Sequence, residues 1–400
     1  MHPVEDIRGT KSGLLANKRI VVGVTGSIAA VECVRLIREL IRHGADVYVV
    51  MSKAAQEIVH PYALQFASGN HVITQITGNV EHVWFCGKTQ EQADLLLIAP
   101  ATANTISKVA LGIDDTPVTT FATTAIGTGI PVIVVPAMHG TMFDHPVIKK
   151  HMKALADMGI TVMNPRMEER SAKIPDVDEI VAETIRTVGP RTLENRKVLV
   201  ISGATEEHID DMRTISNTST GSMGIEMAKV AHHLGADVEL WLGMRSKPAP
   251  VYLPTKSFTD TASLEKMITT LKKVDIAMVP AAIADFRPKT SKGKISSKAP
   301  IDLHLTPTPK LLGKIAKKSG FTVGFKAESR VSDDVLKERA ISRMKESGAN
   351  LMVANDLEKV GPDRTEVLII EGGKDLRVNK MVGTRREVAG AIWERVLECL

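Results

Sequence analysis

The chain writes the same opening twice. Residues 19–51 run RIVVGVTGSIAAVECVRLIRELIRHGADVYVVM, and residues 197–242 run KVLVISGATEEHIDDMRTISNTSTGSMGIEMAKVAHHLGADVELWL. Each has an apolar run, a glycine-bearing turn, a helix that stops at Gly, then Ala-Asp-Val and a second apolar run. A strand, a turn-started helix and a second parallel strand make the unit from which doubly wound sheets grow. Two such openings in 400 residues predict an α/β chain of two doubly wound parallel-sheet (Rossmann/flavodoxin-like) domains in tandem, each able to bury its own core. The polar, Gly-Pro-punctuated stretch GPRTLENR at 189–196 places the boundary, giving domains 1–190 and 191–400.

Further β runs fall at 94–99 and 131–135 in the first half, and at 275–280, 322–325, 351–354 and 367–371 in the second. Uninterrupted runs such as LLLIAP and VIVVPA predict strands buried on both faces. One stretch breaks the alternation. Residues 286–308, FRPKTSKGKISSKAPIDLHLTPT, are rich in Lys, Ser and Pro and too long for a routine connection. They predict a flexible arm around 289–298 that closes over a ligand.

Bulk chemistry narrows the partners. A formal net charge of +5 is mild for this length, and aromatics at 4% leave few base-stacking platforms. Small anionic molecules therefore fit better than nucleic acid. The three cysteines, Cys33, Cys86 and Cys399, form no CxxC, which points to a reducing cytoplasm rather than a disulfide framework or zinc site. No apolar run reaches the roughly 20 residues of a membrane span. The start, MHPVEDIRGTKSG, has no signal-peptide core and reads as a short lead-in.

Candidate site residues cluster where strands end. In GVTGSIAA, Gly26, Ser27 and Ile28 lie between a strand and a helix start, where main-chain N–H groups suit a phosphate. APATANT brings Thr102, Ala103, Asn104 and Thr105 to the end of a buried strand, and simple helix capping by Thr102 or Asn104 is the competing account. PAMHGTMFDHP offers Met138 and His139, an apolar slot with one titratable group. The densest pattern is ISGATEEHIDDMRTISNTSTGSMG, where Gly203, Asp210, Arg213, Asn217, Ser219, Thr220 and Gly221 precede a helix. A cap needs one hydroxyl. An anion cradle uses several hydroxyls and helix N–H groups together.

On these motifs the first half resembles the flavin-containing cysteine decarboxylases and the second the phosphopantothenate–cysteine ligase domain. The order is that of the bifunctional decarboxylase/ligase family of coenzyme A biosynthesis, over roughly residues 18–395. The resemblance implies that FMN is held by Gly26, Ser27, Ile28, Ser52, Thr102, Ala103, Asn104, Thr105 and Met138. It makes His82, in NVEHVWFCGKTQ, the general base or orienting group of the decarboxylation. His139 stands where the family's PxMNxxM motif has Asn, and is expected to keep carboxylate recognition as a ring N–H donor. The family's cysteine-bearing flap corresponds to ERSAKIPDVDEI, which holds no Cys.

In the second half the resemblance implies an acyl-nucleotidylate formed from 4′-phosphopantothenate and CTP with Mg²⁺, then captured by cysteine. Asn217 would hold the intermediate. Lys294, in KGKIS, would face the triphosphate. Gly203, Asp210, Arg213, Ser219, Thr220, Gly221, Ala281, Ala282, Asp285 and Phe325 would line the nucleotide and substrate site, with Lys310 a further phosphate contact or a solvated side chain. No residue assigns a metal ligand. The family also implies a homo-oligomer, trimeric through the first half and dimeric through the second, which together make a dodecamer. Two other readings stay open: a flavin-dependent enzyme acting on a different acid, and a ligase whose first half is a degenerate or regulatory flavin-binding module.

Overall fold

The computed structural model describes residues 2–297, 300–361, 364–372 and 376–400. Its contacts fall into two units, Met1–Pro190 and Arg191–Leu400.

The first unit is built on six parallel strands: β1 (Arg19–Val24), β2 (Asp46–Met51), β3 (Val72–Ile73), β4 (Leu95–Ala101), β5 (Val132–Pro136) and β6 (Thr161–Val162). Their order is β3-β2-β1-β4-β5-β6. The chain winds one way from β1 to β3 and the other way from β4 onward, so a crevice opens at the carboxyl ends between β1 and β4. Ile20, Val22 and Val24 of β1 enter one core cluster and Val21 the other, as expected for a strand covered on both faces. Helix Cys33–Arg42 lays Leu36, Ile37, Leu40 and Ile41 on the first cluster. Gly44 follows at φ +102, and a Cβ there would stand 2.9 Å from Ala16 N.

That packing corrects the view of the N-terminus as a lead-in. Val4 and Leu15 are buried in the first core, and Arg8 Nη1 donates to the Ala45 carbonyl at 2.7 Å. Two isolated apolar residues in a polar stretch carry no periodicity and so do not announce a buried role.

The second unit repeats the winding with β7 (Lys197–Ser202), β8 (Asp237–Gly243), β9 (Thr255–Phe258), β10 (Val274–Val279), β11 (Ser319–Glu328), β12 (Leu351–Asp356), β13 (Thr365–Glu371) and β14 (Arg377–Gly383). The order is β9-β8-β7-β10-β11-β12-β13-β14. The sheet is parallel through β12, but β13 and β14 pair antiparallel, which refines the expected all-parallel sheet. The reason is length: the few residues between β12 and β13 cannot make the crossover that a parallel return requires. Trp393, on the closing helix Arg385–Cys399, is buried and donates Nε1 to the Met227 carbonyl at 2.9 Å, tying that helix to Ser222–His233. Among the described residues no helix is long and apolar enough to cross a membrane.

Candidate functional site

In the first unit, three chain reversals meet at the carboxyl ends of β1, β2 and β4. The Thr25 hydroxyl donates to the Pro100 carbonyl at 2.7 Å and accepts the Thr102 N–H at 3.0 Å. The Ser52 N–H reaches the Val24 carbonyl at 3.0 Å. A Cβ on Gly26 would lie 2.6 Å from the Ala54 Cβ, so only glycine lets the first turn come this close to the second. Ser27, Ser52 and Thr102 each begin a helical segment by accepting a main-chain N–H. Around this cradle, Ala103 and Thr105 are buried, while Ile28 and Asn104 point outward. The residues expected to hold a flavin from the β1, β2 and β4 ends are therefore brought together, and a glycine-lined cradle of N-termini suits a phosphate-bearing group. Helix capping accounts for Thr102, which bonds Thr105. It does not account for Asn104, whose side chain is exposed.

Met138 and His139 form one strand of a small antiparallel sheet with Ser171–Lys173 and Arg166–Glu168. The start of the segment 169–180 thus docks on the His139 segment through Arg170, Ser171 and Ala172. The hairpin turns at Glu169 and Arg170, both at positive φ, +49 and +63, the pairing that a two-residue turn of right twist demands. Gly140 N–H donates to the Arg170 carbonyl at 2.9 Å, and a Cβ on Gly140 would sit 2.4 Å from that oxygen. His139 is exposed, and its Nδ1 meets the Thr141 hydroxyl at 2.9 Å.

His82 lies on helix Glu81–Cys86, held by Phe85 against Tyr48, with ring centroids 4.5 Å apart, and by the Thr128 hydroxyl on the Cys86 carbonyl at 2.6 Å. Its Nδ1 is buried and has no partner among the described residues. Among the described residues no side-chain hydrogen bond joins His82 to the cradle. Cys86 is a core residue: burial pushes its thiol up to about 12, so it stays protonated and out of reach.

In the second unit, β7 is followed by Gly203, whose φ of +86 and contact with the Ser246 side chain admit no Cβ. The Gly203 carbonyl accepts the Ala282 N–H at 2.8 Å, and the Ala284 N–H reaches the Thr205 hydroxyl at 2.9 Å. Asn217 Nδ2 donates to the Ala282 carbonyl at 3.2 Å. Gly203, Asn217, Ala281 and Ala282 therefore converge. Gly221, at φ +72, precedes helix Ser222–His233, whose start has no side-chain cap. The Ser219, Thr220 and Ser222 hydroxyls gather there, Thr220 and Ser222 at 2.8 Å.

Two assignments change. Asp210 is fully buried, and its carboxylate accepts the N–H groups of Met212 and Arg213 at 2.8 Å, Arg213 Nη1 at 3.0 Å and the Ile295 N–H at 3.0 Å. Burial alone would raise this carboxyl; the main-chain N–H groups of Ile295, Met212 and Arg213 outweigh it and hold it below the usual carboxylate range. No oxygen is left for a nucleotide, so the expected contact is corrected. The arm at 289–298 is also not free over its described part: Thr290, Ser291, Gly293 and Ile295 bond to the 208–213 loop, with Lys294 exposed between them. Lys298 lies outside the described residues. Phe325, on β11, packs half-buried against the sheet core. Asp285 is exposed and pairs with Lys310 at 2.5 Å.

Sequence reasoning passed over Thr25, Glu207 and Ser246. Glu207 is buried and accepts the Thr261 N–H at 2.9 Å, anchoring the hairpin Glu206–His208/Thr214–Ser216 that leads to Asn217. The Ser246 Oγ is buried without a partner among the described residues. A glycine motif flags its glycines and not the side chains filling the space beside them. Among the described residues no group of three or more His, Cys, Asp or Glu is placed to hold a metal ion.

Comparison with known proteins matches both halves. Residues 8–189 fit the flavoprotein family model, and residues 193–400 fit the DNA/pantothenate metabolism flavoprotein C-terminal domain. The coenzyme A biosynthesis bifunctional protein CoaBC of Thermococcus kodakarensis is 44% identical, covering 100% of both chains. The protein of the same name from Methanocaldococcus jannaschii is 40% identical over 99% of this chain and 97% of its own. The chain belongs to the CoaBC family. Like its relatives it is a bifunctional enzyme of coenzyme A biosynthesis, with a flavoprotein decarboxylase half followed by a ligase half. A solved structure, the DNA/pantothenate metabolism flavoprotein from Streptococcus pneumoniae, is 26% identical over 51% of this chain and 100% of its own, with a TM-score of 0.46. Of the motifs that carry the resemblance, this chain has His139 where Asn is expected and a cysteine-free hairpin at 169–173.

Proposed function

We propose that the second unit joins 4′-phosphopantothenate to cysteine at the expense of CTP, and that the first decarboxylates the product to 4′-phosphopantetheine. The observation that carries this reading is the pairing, in one chain and in the family's order, of a glycine-lined cradle at β1, β2 and β4 with the convergence of Gly203, Asn217 and Ala282 beside the Lys294 arm.

In the ligase step the 4′-phosphopantothenate carboxylate attacks the α-phosphorus of CTP and pyrophosphate leaves. The cysteine amine then displaces CMP from the acyl-nucleotidylate. Mg²⁺ bound to CTP would neutralise part of the triphosphate charge, and the exposed Lys294 adds a cation. The uncapped start of Ser222–His233, with the Ser219 and Thr220 hydroxyls, offers donors to a phosphate. Asn217, fixed through Ala282, holds the acyl intermediate for the amine.

In the first unit, Gly26, Ser27, Ser52 and Thr102–Thr105 would hold FMN. When bound there, FMN supplies the two-electron exchange with the cysteinyl thiol that makes loss of CO₂ possible. His139, its Nδ1 engaged by Thr141, meets the substrate carboxylate through Nε2. His82 moves or orients the proton at the thiol. The enzyme works as a cytoplasmic homo-oligomer, trimeric through the first unit and dimeric through the second.

Pyrophosphate release tests the ligase half: it should require 4′-phosphopantothenate, CTP and Mg²⁺ together. Release that ignores 4′-phosphopantothenate would overturn the reading.

A further inference from the structure

The arm bearing Lys294 is fastened along one edge. The Thr290 hydroxyl donates to the His208 carbonyl at 3.0 Å, and the Ser291 N–H to the Ile209 carbonyl at 2.9 Å. The Gly293 N–H meets Asp211 Oδ2 at 3.0 Å, and the Ile295 N–H meets Asp210 Oδ2 at 3.0 Å. Arg213 Nη1 reaches the Ile295 carbonyl at 3.2 Å. The residues on either side of Lys294 are both bonded, so its main chain is fixed while its side chain stays exposed.

Asp210 is the joint of this arrangement. One carboxylate oxygen takes the Met212 and Arg213 N–H groups and closes the 210–213 turn. The other takes Arg213 Nη1 and the Ile295 N–H. The same turn runs directly into the strand Thr214–Ser216 and Asn217, which is held to the nucleotide-side segment through Ala282. One buried carboxylate thus links the two groups that the ligase reading sets to work, Lys294 on one side and Asn217 on the other.

We propose that Asp210 is a positioning residue, not a ligand of the nucleotide: it docks the Lys294 arm on the Asn217 turn and sets where the lysine charge falls. The proposal rests on the ligase reading for the identity of the charge that Lys294 faces. The docking itself does not.

The full-length protein carries the test. Asp210→Asn places an amide N–H₂ among four donors, and loss of a charged buried acceptor should speed tryptic cleavage after Lys289, Lys292 and Lys294 about ten-fold or more. The same variant should lower kcat for CTP-dependent pyrophosphate release about ten- to a hundred-fold, with the KM for 4′-phosphopantothenate and for CTP changed little. Ile295→Pro deletes the arm's N–H from the surface side and should reproduce the loss of kcat and the faster cleavage after Lys289 and Lys292, the Lys294–Pro bond itself resisting trypsin, which keeps the test decisive where Asp210→Asn folds poorly. A protected arm in the folded variants, a released arm with kcat unchanged, or a raised KM for CTP with kcat intact would each overturn the proposal. Absence of pyrophosphate release in the unmodified protein would instead refute the ligase reading, and the cleavage pattern would still decide whether Asp210 docks the arm.

Discussion

Thr25 and Thr102 share one joint: the Thr25 hydroxyl accepts the Thr102 N–H at 3.0 Å while donating to the Pro100 carbonyl at 2.7 Å. Thr25 is 1% exposed, so water cannot take its place. Thr25→Val keeps the shape and leaves the Thr102 N–H without that acceptor, which should cost about 1–3 kcal/mol in the first unit. Thermal unfolding and flavin content after purification would show both a lowered transition and weaker flavin retention. Thr25→Ser should restore both.

His139→Ala should abolish decarboxylation and leave flavin binding intact. The imidazole sits on the exposed face of the Met138–His139 strand, and the hydrogen bonds of the cradle do not include it. Absorbance of the bound flavin alongside product formation from 4′-phosphopantothenoylcysteine separates the two effects. Full activity in this variant would remove His139 from the site.

Much of this was legible in the sequence because the signals are local. An apolar run ending in Gly-Ser announces a strand and a helix start, and the ends of β1, β2 and β7 fall where the runs end. The convergence of Gly26, Ser52 and Thr102 follows from the strand order, which the two repeated openings imply. What was not legible depends on contacts distant in sequence. Asp210 reads as one more polar residue in a ligand motif until the Ile295 N–H, 85 positions on, is seen to occupy it. Phe325 reads as a base contact, and its packing against the core through β11 depends on neighbours distant in sequence. The antiparallel β13 and β14 have no periodicity that distinguishes them from parallel strands.

Asn217→Asp should let the acyl-nucleotidylate accumulate while amide formation stalls. Asn217 donates Nδ2 to the Ala282 carbonyl at 3.2 Å, and a carboxylate there has no donor to offer. Quenched reactions resolved by mass spectrometry would show the intermediate directly. Amide formation at the normal rate would contradict the role.

Four charges close a ring at the edge of the second unit. Lys359 meets Asp333 at 2.7 Å and Glu366 at 2.8 Å, and Lys380 meets Asp333 at 2.9 Å and Glu366 at 2.8 Å. The bonds from Lys359, then Lys380, hold both carboxyls below their usual range, while Lys359 is pushed up by Asp333 and Glu366. Depressed carboxyls stabilise the fold above their ordinary values, and that contribution fades as pH falls through the lowered ones. The raised lysine stabilises below its ordinary value and loses its effect as pH rises beyond it. Asp333→Asn should therefore lower the unfolding temperature by about 2 °C near neutral pH. The gap to the unmodified protein should close as pH falls through the lowered Asp333 value and shrink in high salt.

The most direct test of the whole account is mass spectrometry of one reaction containing the protein, 4′-phosphopantothenate, cysteine, CTP and Mg²⁺. The account predicts 4′-phosphopantetheine, formed through 4′-phosphopantothenoylcysteine, with both units active and no cysteine in the 169–173 hairpin. Accumulation of 4′-phosphopantothenoylcysteine alone, with flavin bound, would contradict it and make the first unit a regulatory flavoprotein.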